Sequence, residues 1–284
     1  MDIASIIGIA LGFGCLLFGY SMDGGGLKSL VLLSAFIIVI GGSLGSAALS
    51  FGISELKNMP KMMIRAFKPP KSKIGETIDF IVKLSEIARK DGLLSIEKSI
   101  NENNMAEQLD PLLYQGILMV IDGVDLEQIR DTLETQIYVF EEKSKNEIAI
   151  FDALGGYAPT YGMIGTIMGM IKVLANLENA EEMAASIAVA FTATLYGVAS
   201  ANVLYLPIAS KLKLRLKQSL LEKEMIIEGV CSIRNGMNSK MLRDKLSIYS
   251  QEENSQKSSD KNKKVSGAEN NSRRKKVKSN DDAA

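Results

Sequence analysis

Histidine and tryptophan are absent from this 284-residue chain, and cysteine occurs only twice. Without histidine there is no imidazole for acid–base work, no Ser–His or Cys–His nucleophile and no His-ligated metal centre. Without tryptophan, anchoring at a membrane interface falls to Tyr, Lys and Arg. Cys15 and Cys231 are too few and too far apart for a disulfide framework. Gly24-Gly25-Gly26 lacks the Lys-Ser/Thr that would make it a phosphate loop. The most telling shortage is acid inside the apolar segments. Residues 151–176 and 183–206 carry Pro159, Thr160, Thr166, Thr192 and Thr194, with Pro207 just beyond. Past Asp152, neither contains Asp, Glu or His. Hydroxyls and prolines in such a helix pair point to a polar path. A path without a carboxylate cannot easily relay protons alone, so a partner is expected to supply the acid.

What is present is segregated. The formal net charge is +0, but long stretches have almost no charge and the tail has much. Residues 3–21 form an apolar run about as long as the ~20 residues needed to cross ~30 Å of hydrocarbon. Asp2 stands where a signal peptide would be basic, which argues against that reading. Asp23-Gly24-Gly25-Gly26 breaks the run, and a second span is expected at about 29–53. Residues 151–176 and 183–206 supply a second hairpin, joined by the short acidic connector 176–182. Lys57, Lys61, Arg65, Lys68, Lys71 and Lys73 flank the second span; Lys211, Lys213, Arg215 and Lys217 follow the fourth. Against these, the outer side offers only Lys28 and Lys172. The positive-inside rule therefore places the large loop and both termini in the cytoplasm.

The expected fold is an all-α polytopic membrane protein: four transmembrane helices, with a helical cytoplasmic domain between spans two and three. Its parts are a transmembrane hairpin at 1–53, a cytoplasmic helical domain at 54–150, a second hairpin at 151–210, cytoplasmic C-terminal helices at 211–249 and a disordered tail at 250–284. In the cytoplasmic part, Ile74, Ile78, Ile81, Leu84, Ile87 and Ala88 recur at helical spacing. Asp91-Gly92 should end that helix. A second starts at Leu93, and a third is expected at 107–121. Asp125 with Gln128 reads as a capping box for a long helix on Leu126, Ile129, Leu133, Ile137 and Phe140. No proline interrupts 126–150, so this helix is expected to continue into the third span. The tail has almost no large apolar residue and cannot bury enough surface to fold. Its Arg273-Arg274-Lys275-Lys276 run reads as solvated.

Pro159, Gly162, Thr166 and Gly169 share one helical face, as do Ala190, Thr194, Gly197 and Ala201, and as do Gly8, Gly12, Cys15 and Gly19. Small faces let backbones approach closely in lipid. In the first span, packing is sufficient reason. In the third and fourth, a helix-interior proline frees a carbonyl and threonine adds an oxygen at the same depth.

Three strings resemble the flagellar motor stator A subunits, the MotA/PomA family. They are Ala158-Pro159-Thr160-Tyr161-Gly162-Met163-Ile164-Gly165-Thr166; Ala190-Phe191-Thr192-Ala193-Thr194-Leu195-Tyr196-Gly197 with Leu206-Pro207-Ile208-Ala209; and the loop from Leu84 through Arg89 to Glu97. The likeness covers about 1–248 and leaves out the tail. It implies a homo-oligomer of five A subunits around two B subunits of the MotB/PomB type. The B subunit brings the ion-binding membrane Asp and a domain that grips peptidoglycan. It also implies that ion passage turns the A ring in the bacterial plasma membrane and drives the rotor. By resemblance, Pro159, Thr160, Thr166, Thr194 and Pro207 belong to the ion path, and Arg89 and Glu97 engage the rotor protein FliG. No enzyme activity, cofactor, metal or nucleic acid is expected. The translocated ion expected is a proton, with sodium the alternative, since hydroxyl oxygens also suit a hard cation.

Two rivals remain. The related ExbB/TolQ energisers share the last two spans but usually have three, and the hairpin 3–53 argues against them. A self-contained transporter would show polar groups at mid-membrane in both halves, whereas the first hairpin has only Ser34, Ser43 and Ser46.

Overall fold

A computed structural model describes residues 3–68, 74–102 and 109–250. The expected tail from residue 251 onward with its Arg273–Lys276 run, Asp2, Lys71, Lys73 and residues 107–108 lie outside the described residues, and Ser250 ends a helix rather than opening the tail. Among those described there are helices and turns but no strand. The helices are α1 (Ile3–Met22), α2 (Leu33–Phe36), α3 (Gly42–Phe51), α4 (Ile53–Leu56), α5 (Met59–Phe67), α6 (Ile74–Asp91), α7 (Leu94–Glu102), α8 (Pro111–Ile121), α9 (Leu126–Ala175), α10 (Ala180–Ala199) and α11 (Leu206–Arg234). A last helix, α12, occupies 239–250. One π turn, Ile37–Gly41, joins α2 to α3, and another, Ser200–Tyr205, joins α10 to α11.

The chain divides into two compact units, each built from two stretches. One comprises Met1–Pro70 and Phe140–Lys217, the other Lys71–Val139 and Gln218–Ala284. The first has a core of small and mixed residues, in which Ala35, Ala47, Ala66, Ala158, Ala193, Ala201 and Ala209 are packed with Phe151, Leu154, Tyr205 and Leu212. Small residues suit helices whose surroundings give no hydrophobic push and whose cohesion comes from close backbone approach. The second unit has a core of Ile, Leu and Val, among them Ile78, Ile81, Leu84, Ile96, Leu113, Ile117, Ile129, Leu133, Ile226 and Val230. Burial of this kind contributes about 1.5–3 kcal/mol for each large side chain fully buried.

Local chemistry sets the helix ends. Gly24 at φ +80°, Gly52 at φ +82° and Gly92 at φ +87° occupy left-handed backbone that disfavours any other residue. They fall after α1, between α3 and α4, and after α6. The third cytoplasmic helix begins at Pro111 rather than 107. Asp110 is its N-cap, its carboxylate accepting from Leu112 N at 2.8 Å, and proline at the first position suits a helix start. The expected second span is also trimmed: Leu27–Leu30 is a 3-10 turn, Leu32 is extended, and the helix proper runs from Leu33 to Phe51. The acidic connector is shorter than its composition implied. Asn179 caps α10 by accepting from Glu181 N and Glu182 N, which puts both acids in the first helical turn, where the helix dipole favours them. The long helix α9 does continue through Pro159 to Ala175.

Among the described residues, two stretches are long and apolar enough to cross a membrane, Leu27–Phe51 and Ala180–Arg234. Ile7–Met22 is apolar but shorter. The second half of α9 is diluted by Pro159, Thr160, Tyr161, Gly162, Thr166 and Lys172.

Candidate functional site

Helices α9 and α10 pack through their small faces. A side chain at Gly162 would meet Ala193 O at 3.0 Å and Thr194 Cα at 3.1 Å; one at Gly169 would meet Ser186 O at 2.9 Å; one at Gly197 would meet Ala158 O at 2.5 Å. With no side chain in the way, the backbones close on one another. This brings two of the expected path residues into direct contact: the Thr166 and Thr194 hydroxyls hydrogen-bond. Around them, Thr166 Oγ1 lies 3.2 Å from Gly162 O and 3.3 Å from Ala190 O, and Thr194 Oγ1 lies 3.2 Å from Gly162 O. Two hydroxyl protons are thus shared among four oxygens. Each hydroxyl has one proton and two lone pairs, so the cluster holds more acceptor capacity than it uses. Such an oxygen set can receive a cation or a protonated carrier. Without a titratable acid it cannot hold a proton by itself.

The other expected residues sit around this cluster. Pro159 is half-buried beside Gly197, whose added side chain would meet Pro159 Cα at 3.1 Å. Lacking an N–H, Pro159 leaves the Gly155 carbonyl without its usual helical donor. Thr160 is exposed and donates to Tyr157 O at 2.6 Å, and no hydrogen bond links it to the Thr166–Thr194 pair among the described residues. Pro207 is exposed at the second position of α11, directly after the π turn Ser200–Tyr205. A proline there cannot bond the carbonyl four residues back, and the i→i+5 register of a π turn bypasses that missing bond. Its neighbour Leu206 packs on Gly155, one turn before Pro159.

Sequence reasoning missed the side chains that join the first hairpin to the second. Tyr161 OH bonds Ser46 Oγ at 2.8 Å, and Tyr157 OH bonds Ser50 Oγ at 3.0 Å. Tyr196 OH donates to Leu30 O. Gly42 lies flat against the Tyr161 ring, with no room for a side chain. The available signal was a set of three tyrosines in apolar helices, since a tyrosine hydroxyl away from water needs a partner.

Arg89 and Glu97 are exposed, in the last turn of α6 and the first turn of α7, on either side of Gly92. Neither forms an ion pair among the described residues. The same unit holds a charge cluster that spacing did not reveal. Glu228 receives Lys245 and, at 3.4 Å, Arg130. Burial pushes the Glu228 carboxyl up, but hydrogen bonds and charge from Lys245 and Arg130 outweigh it and hold the group below its ordinary range. Nearby, burial pushes the Cys231 thiol up. Arg234 donates to Val124 O at 3.0 Å and Gly123 O at 3.2 Å, which closes the turn after α8.

The facing parts of α9 and α10, residues 153–175 and 183–199, thus combine hydroxyls with no carboxylate. Residues 104–225 match the model of the MotA/TolQ/ExbB proton channel family, and residues 6–92 match that of the motility protein A N-terminal region. The chain belongs to this family. It is 35% identical to motility protein A of Bacillus subtilis over 88% of this chain and 91% of that one. It is 30% identical to the chemotaxis protein PomA of Vibrio alginolyticus over 88% and 95%. Among solved structures, it is similar to a chain of the flagellar MotAB stator complex from Bacillus subtilis. The TM-score is 0.79 at 34% identity, covering 87% of this chain and 96% of that one.

Proposed function

We propose that this chain is the A subunit of a flagellar motor stator, which with a B subunit passes ions and turns ion-motive force into rotation. Four membrane spans carry it, with both termini in the cytoplasm of a bacterial inner membrane. The observation that carries the reading is the Thr166–Thr194 hydroxyl pair, backed by carbonyls of Gly162 and Ala190, in apolar segments (153–176 and 183–206) without acid. A partner helix bearing one carboxylate completes such a site: the acid holds the ion, and the hydroxyls and freed carbonyls offer it oxygens on the way. The relatives solved as MotAB complexes support a MotB-type partner. We extend this to five A subunits around two B subunits, with Pro159, Thr160 and Pro207 along the path and a proton as the cargo. No resident cofactor enters the reading.

Arg89 and Glu97 are then the contact with FliG. Their exposure favours transient pairing, since an exposed ion pair is worth only ~0–1 kcal/mol. One elementary charge crossing 100 mV releases about 2.3 kcal/mol. A stroke can therefore break such contacts at every step.

The test is ion flux in cells that express the chain alone or with its B partner, in low and high sodium. Flux only with the partner, lost when the partner's membrane Asp becomes Asn, is the expected result. Sodium-independent flux identifies the proton. Flux from this chain alone would establish a self-contained transporter and sink the borrowed-acid reading. Thr194→Val should cut partner-dependent flux at least tenfold, and Thr194→Ser should restore most of it.

A further inference from the structure

Helices α4 and α5 follow directly on the candidate span that ends at Phe51, after the Gly52 turn at φ +82°. The inner side of α5 is fixed. Met62 and Ala66 are buried, and Met59, Met63 and Phe67 pack on the core of their unit. Arg65 pairs with Glu147 of α9. Arg215 of α11 donates to the Arg65 and Lys68 carbonyls, which are end-of-helix acceptors without helical partners.

The outer side is different. Lys57 and Asn58, between the two helices, keep helical backbone angles, so the stripe is continuous. Along it lie Ile53, Lys57, Lys61, Ile64 and Lys68, spaced 4, 4, 3 and 4. All five are exposed, Ile53 at 68% and Ile64 at 65%. Among the described residues no acid pairs with Lys57, Lys61 or Lys68. Ile64 stands between Lys61 and Lys68, and Ile53 one turn before Lys57, so the lysines alternate with exposed apolar side chains. That mixture suits a bilayer surface, where isoleucine enters the acyl boundary while lysine stems reach outward to the phosphates.

We propose that the stripe Lys57–Lys61–Lys68, with Ile53 and Ile64, is a binding site for the headgroups of anionic phospholipids on the cytoplasmic leaflet. This rests on the membrane-spanning reading above. Its consequence is that lipid charge seats α5. Arg215 and Arg65 tie α5 to α11 and α9, the helices that carry Pro207 and Thr166. Each lysine near an anionic surface contributes about a fivefold preference, falling off within a Debye length.

The full chain with its B subunit is reconstituted into nanodiscs containing spin-labelled phosphatidylglycerol or phosphatidylcholine. The fraction of each lipid held immobile is read by electron paramagnetic resonance. The expected result is a preference for phosphatidylglycerol that falls at least tenfold in K57Q/K61Q/K68Q, survives in K57R/K61R/K68R and is unchanged in K240Q. Excess inorganic phosphate at constant ionic strength should not displace the lipid. Equal preference in the wild type and the glutamine variant would overturn the proposal and leave the lysines to a protein partner. Displacement by phosphate would overturn it in favour of a soluble anion. No immobilised lipid of either kind would overturn the spanning reading itself, an outcome distinct from lost selectivity.

Discussion

Glycine positions separate sharply at the level of single residues. A methyl group at Gly197 would meet a backbone carbonyl at 2.5 Å, and backbone cannot step aside. Gly197→Ala should therefore loosen the α9–α10 pair by about 1–3 kcal/mol and lower the melting temperature of the purified protein in detergent. Gly156→Ala, where nothing lies within 4 Å, should leave it unchanged or slightly raised. Glu228 makes a second prediction. Its folded-state affinity for a proton is below the ordinary value of 4.5. The stability it adds is therefore present above that pH and is lost as pH falls through the lower folded value. Partial exposure limits this to about 1 kcal/mol. Glu228→Gln should lower the melting temperature near neutrality and flatten its decline on acidification. A mutant that declines as steeply as the wild type would remove Glu228 from the acid response. Cysteine chemistry differs likewise. Cys231 is buried and its thiol is held protonated, whereas Cys15 is exposed in the isolated chain. Alkylation in detergent should modify Cys15 first, as read by mass spectrometry.

Helix ends carry the argument at the scale of elements. The period of apolar residues indicated α6 and α9, because helical spacing is a local property. An end was legible where a single residue decides it, as Gly92 does after α6, whereas Pro159 is an interior residue that α9 tolerates. Ends were less legible where a cap competes with composition. Asp110 and Asn179 start α8 and α10 because their side chains accept otherwise unpaired backbone N–H groups. Asp110→Ala should cost about 1 kcal/mol, measurable as a shift in the chemical denaturation midpoint. Part of that loss is the ion pair with Lys223 at 3.6 Å. The two π turns were not legible at all. Pro207 marked the site of one, but a proline alone does not say whether the helix breaks, kinks or changes its hydrogen-bond register.

At the scale of the whole molecule, the two units differ in what holds them together. One is cored by alanine and closed by glycine contacts, and it leaves Leu11, Phe18, Phe36, Ile167, Ile171, Leu174 and Phe191 exposed. The other buries large branched residues, and by the reading proposed above it lies in water. A membrane-soluble photoactivated carbene should therefore label Leu27–Phe51 and residues 158–206. It should spare residues 112–133. Heavy labelling of Leu113, Ile117 or Leu133 would contradict the assignment of that unit to water.

The sequence by itself determined the helices, the absence of any acid past Asp152 within 151–176 and 183–206, and the family. Each follows from residue type and short-range spacing, and the three motif strings lie along single helices or turns. Only the tertiary structure decided which side chains meet. Thr166 bonds Thr194 across 28 positions, Tyr161 bonds Ser46 across 115 and Arg215 reaches Arg65 across 150. The helical period fixes which face a residue occupies, but not which other face it is packed against. That choice is made by close packing, where a missing methyl group at Gly162 or Gly197 sets how near two backbones come. The same holds for the charges. Lys57, Lys61 and Lys68 were visible as basic residues near a span, yet only the packing of Met62, Ala66 and Arg215 aligned them as one outward stripe.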